Sequence, residues 1–186
     1  MGDRVVKNKV MKKATLFATL GFPGSGKTYL AEHLSSELDL FHINADKVRH
    51  TIFQTPTFSK EETDSVIRIM NILTEDMLKK GISVMYDKNM NFKHERKALQ
   101  KIAKKCSAQY WLVWVQTTVP VAENRLAKRS SAKIKNLLYP PLAVEILHKL
   151  KDQIEKPTRT EPVVVVDGHV PFAKQYAVLK KSISKK

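Results

Sequence analysis

The sequence contains a single cysteine, Cys106, among 186 residues, so an internal disulfide is excluded. A chain of this length buries enough apolar surface to fold without disulfides, and its low cysteine content fits a reducing, cytoplasmic compartment. Long apolar runs are also missing. The longest one, residues 110–115, is far short of the roughly 20 residues that a membrane-spanning helix needs. The sequence therefore predicts no membrane segment, and its first thirteen residues lack the apolar stretch of a secretory signal.

Acidic residues are scarce, with 18 Asp and Glu against 33 Lys and Arg, which gives a formal net charge of +15. Such an excess favours anionic partners that carry phosphate, although a solvated basic surface is an equally open interpretation. The excess is uneven, because residues 124–144 contain five basic residues and no acidic one. The six histidines and the one cysteine lack the spacing of metal ligands, so a metal site made by the protein alone is not predicted.

Apolar runs alternate with helical patterns along the chain, and this alternation predicts an α/β fold with a five-stranded parallel sheet between two layers of helices. The strands are predicted at residues 14–20, 41–43, 82–86, 110–116 and 163–166. A capping-box spacing at Ser59 and Glu62 predicts a long helix that ends at Gly81. We expect a basic N-terminal tail at residues 1–13, one domain at 14–186, and a basic lid at about 128–141.

A phosphate-binding loop follows the first predicted strand. The pattern G-x-x-x-x-G-K-[ST] is matched by Gly21, Phe22, Pro23, Gly24, Ser25, Gly26, Lys27 and Thr28. Glycines let successive backbone amides curl around an anion, the lysine reaches the β- and γ-phosphates of a nucleoside triphosphate, and the threonine hydroxyl binds Mg²⁺. A strand before the pattern and a helix after it strengthen this prediction of nucleoside triphosphate binding. The sequence has neither the base-reading motif of GTP switches nor paired acidic residues at a strand end, so a small phosphotransferase is favoured.

Asp46 and Arg49 lie three residues apart after the second predicted strand, so on a helix they would project toward the same cavity. An aspartate at such a position accepts the proton of an attacking hydroxyl, and an arginine holds an anionic group of the acceptor. The alternative is that Asp46 only caps a helix at 47–54.

Three further charged residues are candidates for the nucleotide site. Asp87 ends the third predicted strand at the sheet edge where such folds bind ligands, and it would hold Mg²⁺ through water. The alternative interpretation is that the Asp87 side chain only forms an Asx turn in the segment from Asp87 to Asn89. Arg125 and Arg129, one helical turn apart before the lid, would neutralise charge on the phosphates. Their alternative is a plain surface position.

Four segments, at residues 21–28, 43–49, 86–89 and 125–129, resemble the P-loop kinases of the polynucleotide 5′-kinase-like and zeta-toxin-like group. They appear in the family order over about residues 14–167. The resemblance implies an adenylate-kinase-like three-layer P-loop domain that uses ATP with Mg²⁺, and it implies that the turn at 168–171 lies near the adenine.

The resemblance also implies a role for each matching side chain. Asp46 resembles the general base, Arg49 the ligand of the acceptor phosphate, and Asp87 the carboxylate on the metal side. Arg125 and Arg129 resemble the lid arginines. The chain departs from the family pattern at Lys47, where a second aspartate is frequent, and at Lys88, which replaces a small residue. These departures bear on the acceptor more than on phosphoryl transfer.

The sequence thus predicts a kinase in which Lys27, Asp46 and Arg129 are catalytic and Thr28 and Asp87 serve the metal ion. The preferred acceptor is a polynucleotide 5′-hydroxyl, because of the basic charge and the segment around Asp46. A small hydroxylated metabolite, sugar, nucleoside or antibiotic is the alternative acceptor. A nucleotide-binding module without turnover is the third hypothesis.

Overall fold

The computed structural model describes residues 13–131 and 144–184, without the side chains of residues 129–131, 144 and 145. In this part of the chain, the strands are β1 (Thr15–Leu20), β2 (Phe41–Asn44), β3 (Val84–Asp87), β4 (Gln109–Gln116) and β5 (Val163–Asp167). The helices are α1 (Lys27–Leu38), α2 (Ala45–Ile52), α3 (Lys60–Lys79), α4 (Lys93–Lys105), α5 (Val119–Ser131), α6 (Val144–Asp152) and α7 (Phe172–Ile183).

The five strands form one parallel sheet in the order β2, β3, β1, β4, β5. All six residues of the central strand β1 are buried, as expected for a strand covered on both faces. The carboxyl ends of β1, β2 and β3 therefore meet at one edge of the sheet, where the loop at 21–26 begins. The predicted α/β class and the five-stranded parallel sheet are confirmed.

Helices cover both faces of the sheet and complete three layers. One face packs against buried residues of α3 and α4, which include Val66, Met70, Leu78, Leu99 and Ala103. The other face packs against α1 and α7, through Leu30, Ala31, Leu34, Leu38, Leu179 and Ile183. A smaller cluster of Phe22, Ala122 and Leu147 joins α5 and α6 to the loop after β1. Phe22 therefore anchors that loop in the apolar interior.

Several element boundaries differ by one or two residues from their sequence predictions, among them the starts of β3 and α2. β3 begins at Val84 rather than at residue 82, because Ile82 completes the turn after α3: Gly81 has a φ of +77° and the Ile82 N–H donates to the Met77 carbonyl. α2 begins at Ala45 rather than at residue 47, because the Asn44 side chain caps it. The long helix α3 does begin after Ser59, whose hydroxyl accepts a hydrogen bond from the Glu62 N–H.

An arginine lies fully buried where α4 meets the segment before β5. The Arg96 guanidinium pairs with Glu161 (Nε to Oε2, 2.6 Å) and donates to the carbonyls of Met90 and Asn91. Burial alone would raise the pKa of Glu161, but hydrogen bonds from Arg96 and Thr158 hold that pKa below its usual range. The pair therefore joins the loop that follows Asp87 to the segment before β5.

An Arg96→Leu substitution is expected to lower the free energy of unfolding by about 3–5 kcal/mol, because it leaves a buried carboxylate without its cation. Arg159→Leu, at an exposed arginine, is the matched control and should change stability little. The stabilising charge on Glu161 is present above the carboxyl pKa of the unfolded chain and is lost as pH falls through the lower folded value. Urea unfolding at several pH values measures the loss of stability and its pH dependence. Equal stabilities of the Arg96→Leu and Arg159→Leu variants would contradict a stabilising role for the buried pair.

Most of the predicted lid, residues 128–141, lies outside the described residues, as does nearly all of the N-terminal tail. Across the described ranges, none of the helices combines the length and apolar character that crossing a bilayer requires.

Candidate active site

The loop between β1 and α1 needs glycine for two separate reasons. Gly21, Gly24 and Gly26 have φ values of +146°, +80° and +104°, which side chains rarely adopt. A Cβ atom at Gly21 would also lie 2.6 Å from the Val115 carbonyl oxygen, and one at Gly24 would lie 2.7 Å from that of Ala122. The loop backbone is therefore packed tightly against β4 and α5.

The start of α1 is suited to an anion such as the phosphates of ATP. Gly26 occupies the cap position, no described side chain caps the helix, and its first turn contains no acidic residue. The Ser25 hydroxyl is fully buried and has no hydrogen-bond partner among the described residues. Unsatisfied backbone N–H groups at a helix start carry partial positive charge and bind phosphate. The loop thus fits the triphosphate for which its sequence is typical.

Lys27 is the first residue of α1, and its Nζ donates to the Phe22 carbonyl at 3.1 Å. Burial acts to raise the pKa of both Asp46 and Asp87, and the charge of the Lys27 ammonium is one of the influences that oppose this rise. One cation therefore acts on the two carboxylates that the sequence singled out. Thr28 follows in the same turn, at the end of the loop.

Asp46 lies in the first turn of α2, and the hypothesis that it caps the helix is wrong. Asn44 is the cap, because its Oδ1 accepts a hydrogen bond from the Lys47 N–H at 2.9 Å. The Asp46 side chain makes no hydrogen bond or ion pair within the described part of the chain. Burial, and then the charge of Asp87, raise the pKa of Asp46. An unpaired carboxylate of raised pKa beside a phosphate-binding loop is suited to accept a proton.

Asp87 is buried at the end of β3, beside β1. Its Oδ2 accepts hydrogen bonds from Asn44 Nδ2 at 2.7 Å and from His42 Nε2 at 3.2 Å, and the Thr19 hydroxyl donates to its Oδ1 at 3.4 Å. Burial opposes its ionisation, yet the bonds from His42 and Asn44 hold the pKa of Asp87 below its usual range. The carboxylate is therefore charged and fixed in orientation. These bonds replace the turn with Asn89 that was the alternative.

Sequence reasoning missed His42, Asn44 and Thr19 as partners of Asp87. Asn44 lies directly opposite Asp87 in the pairing of β2 with β3, which explains the contact. One local signal pointed to Asn44, because it is a preferred capping residue between a strand and a helix. Its amide joins α2 to β3, so it holds Asp46 and Asp87 in a fixed relation.

Asn44 variants separate its two roles. Asn44→Ala is expected to cost about 1 kcal/mol from the lost helix cap, and a further 1.5–3 kcal/mol or so from the lost hydrogen bond to a charged group. Asn44→Ser keeps a capping hydroxyl but is too short to reach Asp87, so it should lose only the second contribution. Thermal melting measures the loss of stability in each variant. The Mg²⁺ dependence of turnover measures the effect of the lost hydrogen bond to Asp87. Identical melting of Ala and Ser variants would contradict the capping role.

Arg49 is buried on α2 and contacts α3. Its Nη1 pairs with Glu62 Oε2 and its Nη2 donates to the Thr63 hydroxyl, both at 3.2 Å, while the guanidinium lies 4.8 Å from the centre of the Phe58 ring. Hydrogen bonds from Thr57 and Phe58, together with that from Arg49, hold the pKa of Glu62 below its usual range. Arg49 Nε is buried and has no hydrogen-bond partner among the residues that the structure describes. A contact with the acceptor stays a prediction for Arg49.

The Arg125 side chain, from α5, also contacts the phosphate-binding loop. Its Nη1 donates to the carbonyls of Gly24 at 3.1 Å and Ser25 at 3.2 Å, and its Nη2 donates to the Gly168 carbonyl at 2.7 Å. The guanidinium therefore ties the loop to the turn after β5, the turn for which the family resemblance implies adenine. Arg129 lies on the same helix, α5, but its side chain is outside the described residues, and its role remains a prediction.

Gly168 has no room for a side chain. A Cβ atom there would clash with the Ser25 carbonyl oxygen and would lie 3.0 Å from that of Gln116. Gly168→Ala is therefore expected to cost about 1–3 kcal/mol of stability, typical of overpacking, and to weaken ATP binding by displacing the loop. The control is Gly81→Ala, where a Cβ meets nothing within 4 Å and only the φ of +77° is strained. Wild-type ATP affinity in the Gly168 variant, measured by calorimetry, would contradict this coupling.

Mg²⁺ fits the same edge of the sheet. Thr28 follows the loop after β1, and the charged Asp87 ends the neighbouring β3, so the two side chains would offer the oxygen ligands that Mg²⁺ prefers. Within residues 13–131 and 144–184, no group of three or more His, Cys, Asp or Glu side chains is arranged to hold a metal ion. The two protein ligands would thus share the ion with nucleotide phosphates.

Comparisons with known proteins agree with this geometry. A family model described as an AAA domain matches residues 16–144. No curated protein sequence matches the chain.

Among solved structures, a proposed kinase from Chloroflexus aurantiacus is 15% identical with a TM-score of 0.74, covering 92% of this chain and 99% of that chain. A Sinorhizobium meliloti gluconokinase is 14% identical with a TM-score of 0.69, covering 94% of each chain. Chaetomium thermophilum Kti12, in complex with ADP-AlF3, is 20% identical with a TM-score of 0.72, covering 89% of this chain and 96% of that chain. These similarities support the P-loop fold predicted from the sequence.

Proposed function

The chain belongs to the AAA domain family, and from that premise we propose that it is a kinase that transfers the γ-phosphoryl group of ATP to a hydroxyl group of a small acceptor. One observation carries the proposal. Asp46 is an unpaired carboxylate of raised pKa, and the Lys27 ammonium beside the phosphate-binding loop acts on it. A module that only binds nucleotide has no need of a half-buried, unpaired base at that position.

The phosphates of ATP bind to the loop amides, to the start of α1 and to Lys27. Thr28 and Asp87 would hold Mg²⁺, which when bound neutralises charge on the β- and γ-phosphates. Arg125 keeps the loop in its binding conformation through the carbonyls of Gly24 and Ser25. Preorganised groups of this kind stabilise the charge that develops on the transferred phosphoryl group.

In the transfer step, the acceptor hydroxyl oxygen forms a bond to the γ-phosphorus while the bond from that phosphorus to the bridging oxygen breaks. ADP leaves with the electron pair of the broken bond. Asp46 accepts the hydroxyl proton and later releases it to solvent. The raised pKa of Asp46 favours this acceptance, and the Asn44 cap keeps its helix in place.

The proposed acceptor is the one that the sequence analysis gave as the alternative, and the acceptor preferred there becomes the second candidate. The similarity to a gluconokinase supports a small hydroxylated molecule rather than a polynucleotide. The polynucleotide 5′-hydroxyl remains the second candidate because of the net charge of +15. Arg49, placed in the contact between α2 and α3, does not favour either acceptor.

A panel of acceptors tests the proposal. The protein is incubated with ATP and Mg²⁺ against sugars, sugar acids, nucleosides, and DNA or RNA with 5′-hydroxyl ends, and products are identified by mass spectrometry. We expect a product heavier by one phosphoryl group with a small hydroxylated compound. Phosphorylation of oligonucleotides alone would support the second candidate. ATP binding with no phosphorylated product from any acceptor would support the non-catalytic module and contradict the proposal.

A further inference from the structure

We propose that the exposed face of α4 is a nucleic-acid-binding surface that contacts the phosphate backbone. Four lysines form it, here called the lysine stripe: Lys93, Lys97, Lys101 and Lys104. This inference does not rest on the proposed function, because backbone binding would occur whether or not the nucleic acid is an acceptor.

The stripe follows from helical periodicity. Its members are four, four and three residues apart, so they project from the same side of α4, and all four are exposed. The opposite side of the helix is buried in the core through Arg96, Leu99 and Ala103. At about 1.5 Å per residue, the stripe extends about 16 Å along the surface.

The stripe lysines are not engaged by acidic side chains. None of them forms an ion pair within the described residues, whereas Lys79 and Lys105 share Glu75, and Lys88 pairs with Glu95. Glu75 and Glu95 are thus already paired with other lysines, and Glu161 pairs with Arg96 on the buried side of α4. One further carboxylate, Glu155, accepts the backbone N–H of Lys93 at the first turn.

The partner that fits this surface is a nucleic-acid strand. One strand of a duplex carries a phosphate every ~3.4 Å of axis, so the stripe spans about five phosphates. A membrane surface fits less well, because an interfacial helix inserts large apolar side chains on its outer side. The apolar residues of α4 face the core, and none of the large exposed hydrophobic residues of the described chain lies on this helix.

The stripe also begins close to the candidate active site. Lys93 starts α4 six residues after Asp87, at the carboxyl edge of the sheet, and Lys104 lies near the far end of the helix. A strand bound along the stripe would run from that edge toward the opposite edge. Nucleic acid would therefore approach the loop at 21–28 without occupying it.

The test uses a variant in which all four stripe lysines are replaced by glutamine, which has a similar helix propensity. Its matched control replaces four exposed lysines elsewhere, so both lose the same charge: Lys60, Lys149, Lys174 and Lys181. Binding of a fluorescein-labelled single-stranded oligonucleotide is titrated between about 50 and about 200 mM salt. Each lost phosphate contact should reduce the slope of log affinity against log salt by about 0.7, so the stripe variant should lose about 2.8.

Equal loss of slope in the stripe variant and the control would overturn the proposal, because it would show that binding follows net charge alone. Wild-type binding to vesicles of anionic lipid, with no binding to the oligonucleotide, would also overturn it. Circular dichroism and thermal melting check the fold of each variant. Should the fourfold variant not fold, the paired variants Lys93→Gln/Lys97→Gln and Lys101→Gln/Lys104→Gln are each expected to lose about 1.4 of the slope, and unchanged slopes in both would overturn the proposal.

Discussion

An Asp46→Asn variant is expected to bind ATP as the wild type does and to transfer phosphoryl about 10²–10⁴-fold more slowly, the usual contribution of a positioned general base. Asparagine keeps the shape of the side chain but accepts no proton. Stability should change little, because Asn44 rather than Asp46 caps α2. Single-turnover kinetics with calorimetric ATP titration measure the effect. The matched control is Asp64→Asn, at an exposed position of α3.

The pH profile gives a second measure of the same role. Burial, and then the charge of Asp87, raise the pKa of Asp46. The charges of Arg49, Lys27 and His50 oppose this rise without reversing it. The base is therefore present above the raised pKa, and kcat/KM falls as pH drops through it. We expect this decline in kcat/KM at acidic pH in the wild type and its absence in Asp46→Asn. Wild-type rates in the variant would contradict the role of Asp46 as general base.

A Lys27→Ala variant is expected to lose about 10²–10³-fold in turnover, the effect of removing one group that stabilises transition-state charge. It should also bind ATP more weakly, because the ammonium at the start of α1 is lost. Thr28→Ala should reduce turnover as well, and higher Mg²⁺ should restore part of that loss, since the hydroxyl is an expected metal ligand. Initial rates across a range of Mg²⁺ concentrations separate the two variants.

Lys60→Ala, at an exposed lysine on α3, is the control for Lys27→Ala and should keep wild-type activity. Thermal melting of each variant excludes unfolding as the cause. A Lys27→Ala protein that binds MgATP and turns over like the wild type would show that the loop does not act on the γ-phosphate.

The sequence was sufficient where the physical cause is local. The glycine pattern at 21–26, the helix that starts at Lys27 and the capping-box start of α3 depend on neighbouring residues, and the structure contains each of them. β1, β3 and most of β4 were found because a strand buried on both faces is a continuous apolar run. Boundaries differ by one or two residues, and at the starts of α2 and β3 the cause is a capping side chain, Asn44, and a turn at Gly81.

The contacts of the charged residues were not predictable, because they join distant parts of the chain. The bond from Asn44 to Asp87 depends on the register of β2 against β3, and 43 residues separate the two side chains. Arg125 donates to the carbonyl of Ser25, 100 residues earlier. The pair of Arg96 with Glu161 spans 65 residues. Residue types at one position do not specify such partners.

Transfer of label from ATP tests the central claim most directly. ATP labelled in the γ-phosphoryl group is incubated with the wild type, with Asp46→Asn and with the acceptor found in the panel, and ADP and labelled acceptor are counted together. The account predicts that the wild type forms one labelled acceptor for each ADP and that Asp46→Asn forms neither at a comparable rate. ADP formation that no acceptor accelerates, with all label released as inorganic phosphate, would contradict it.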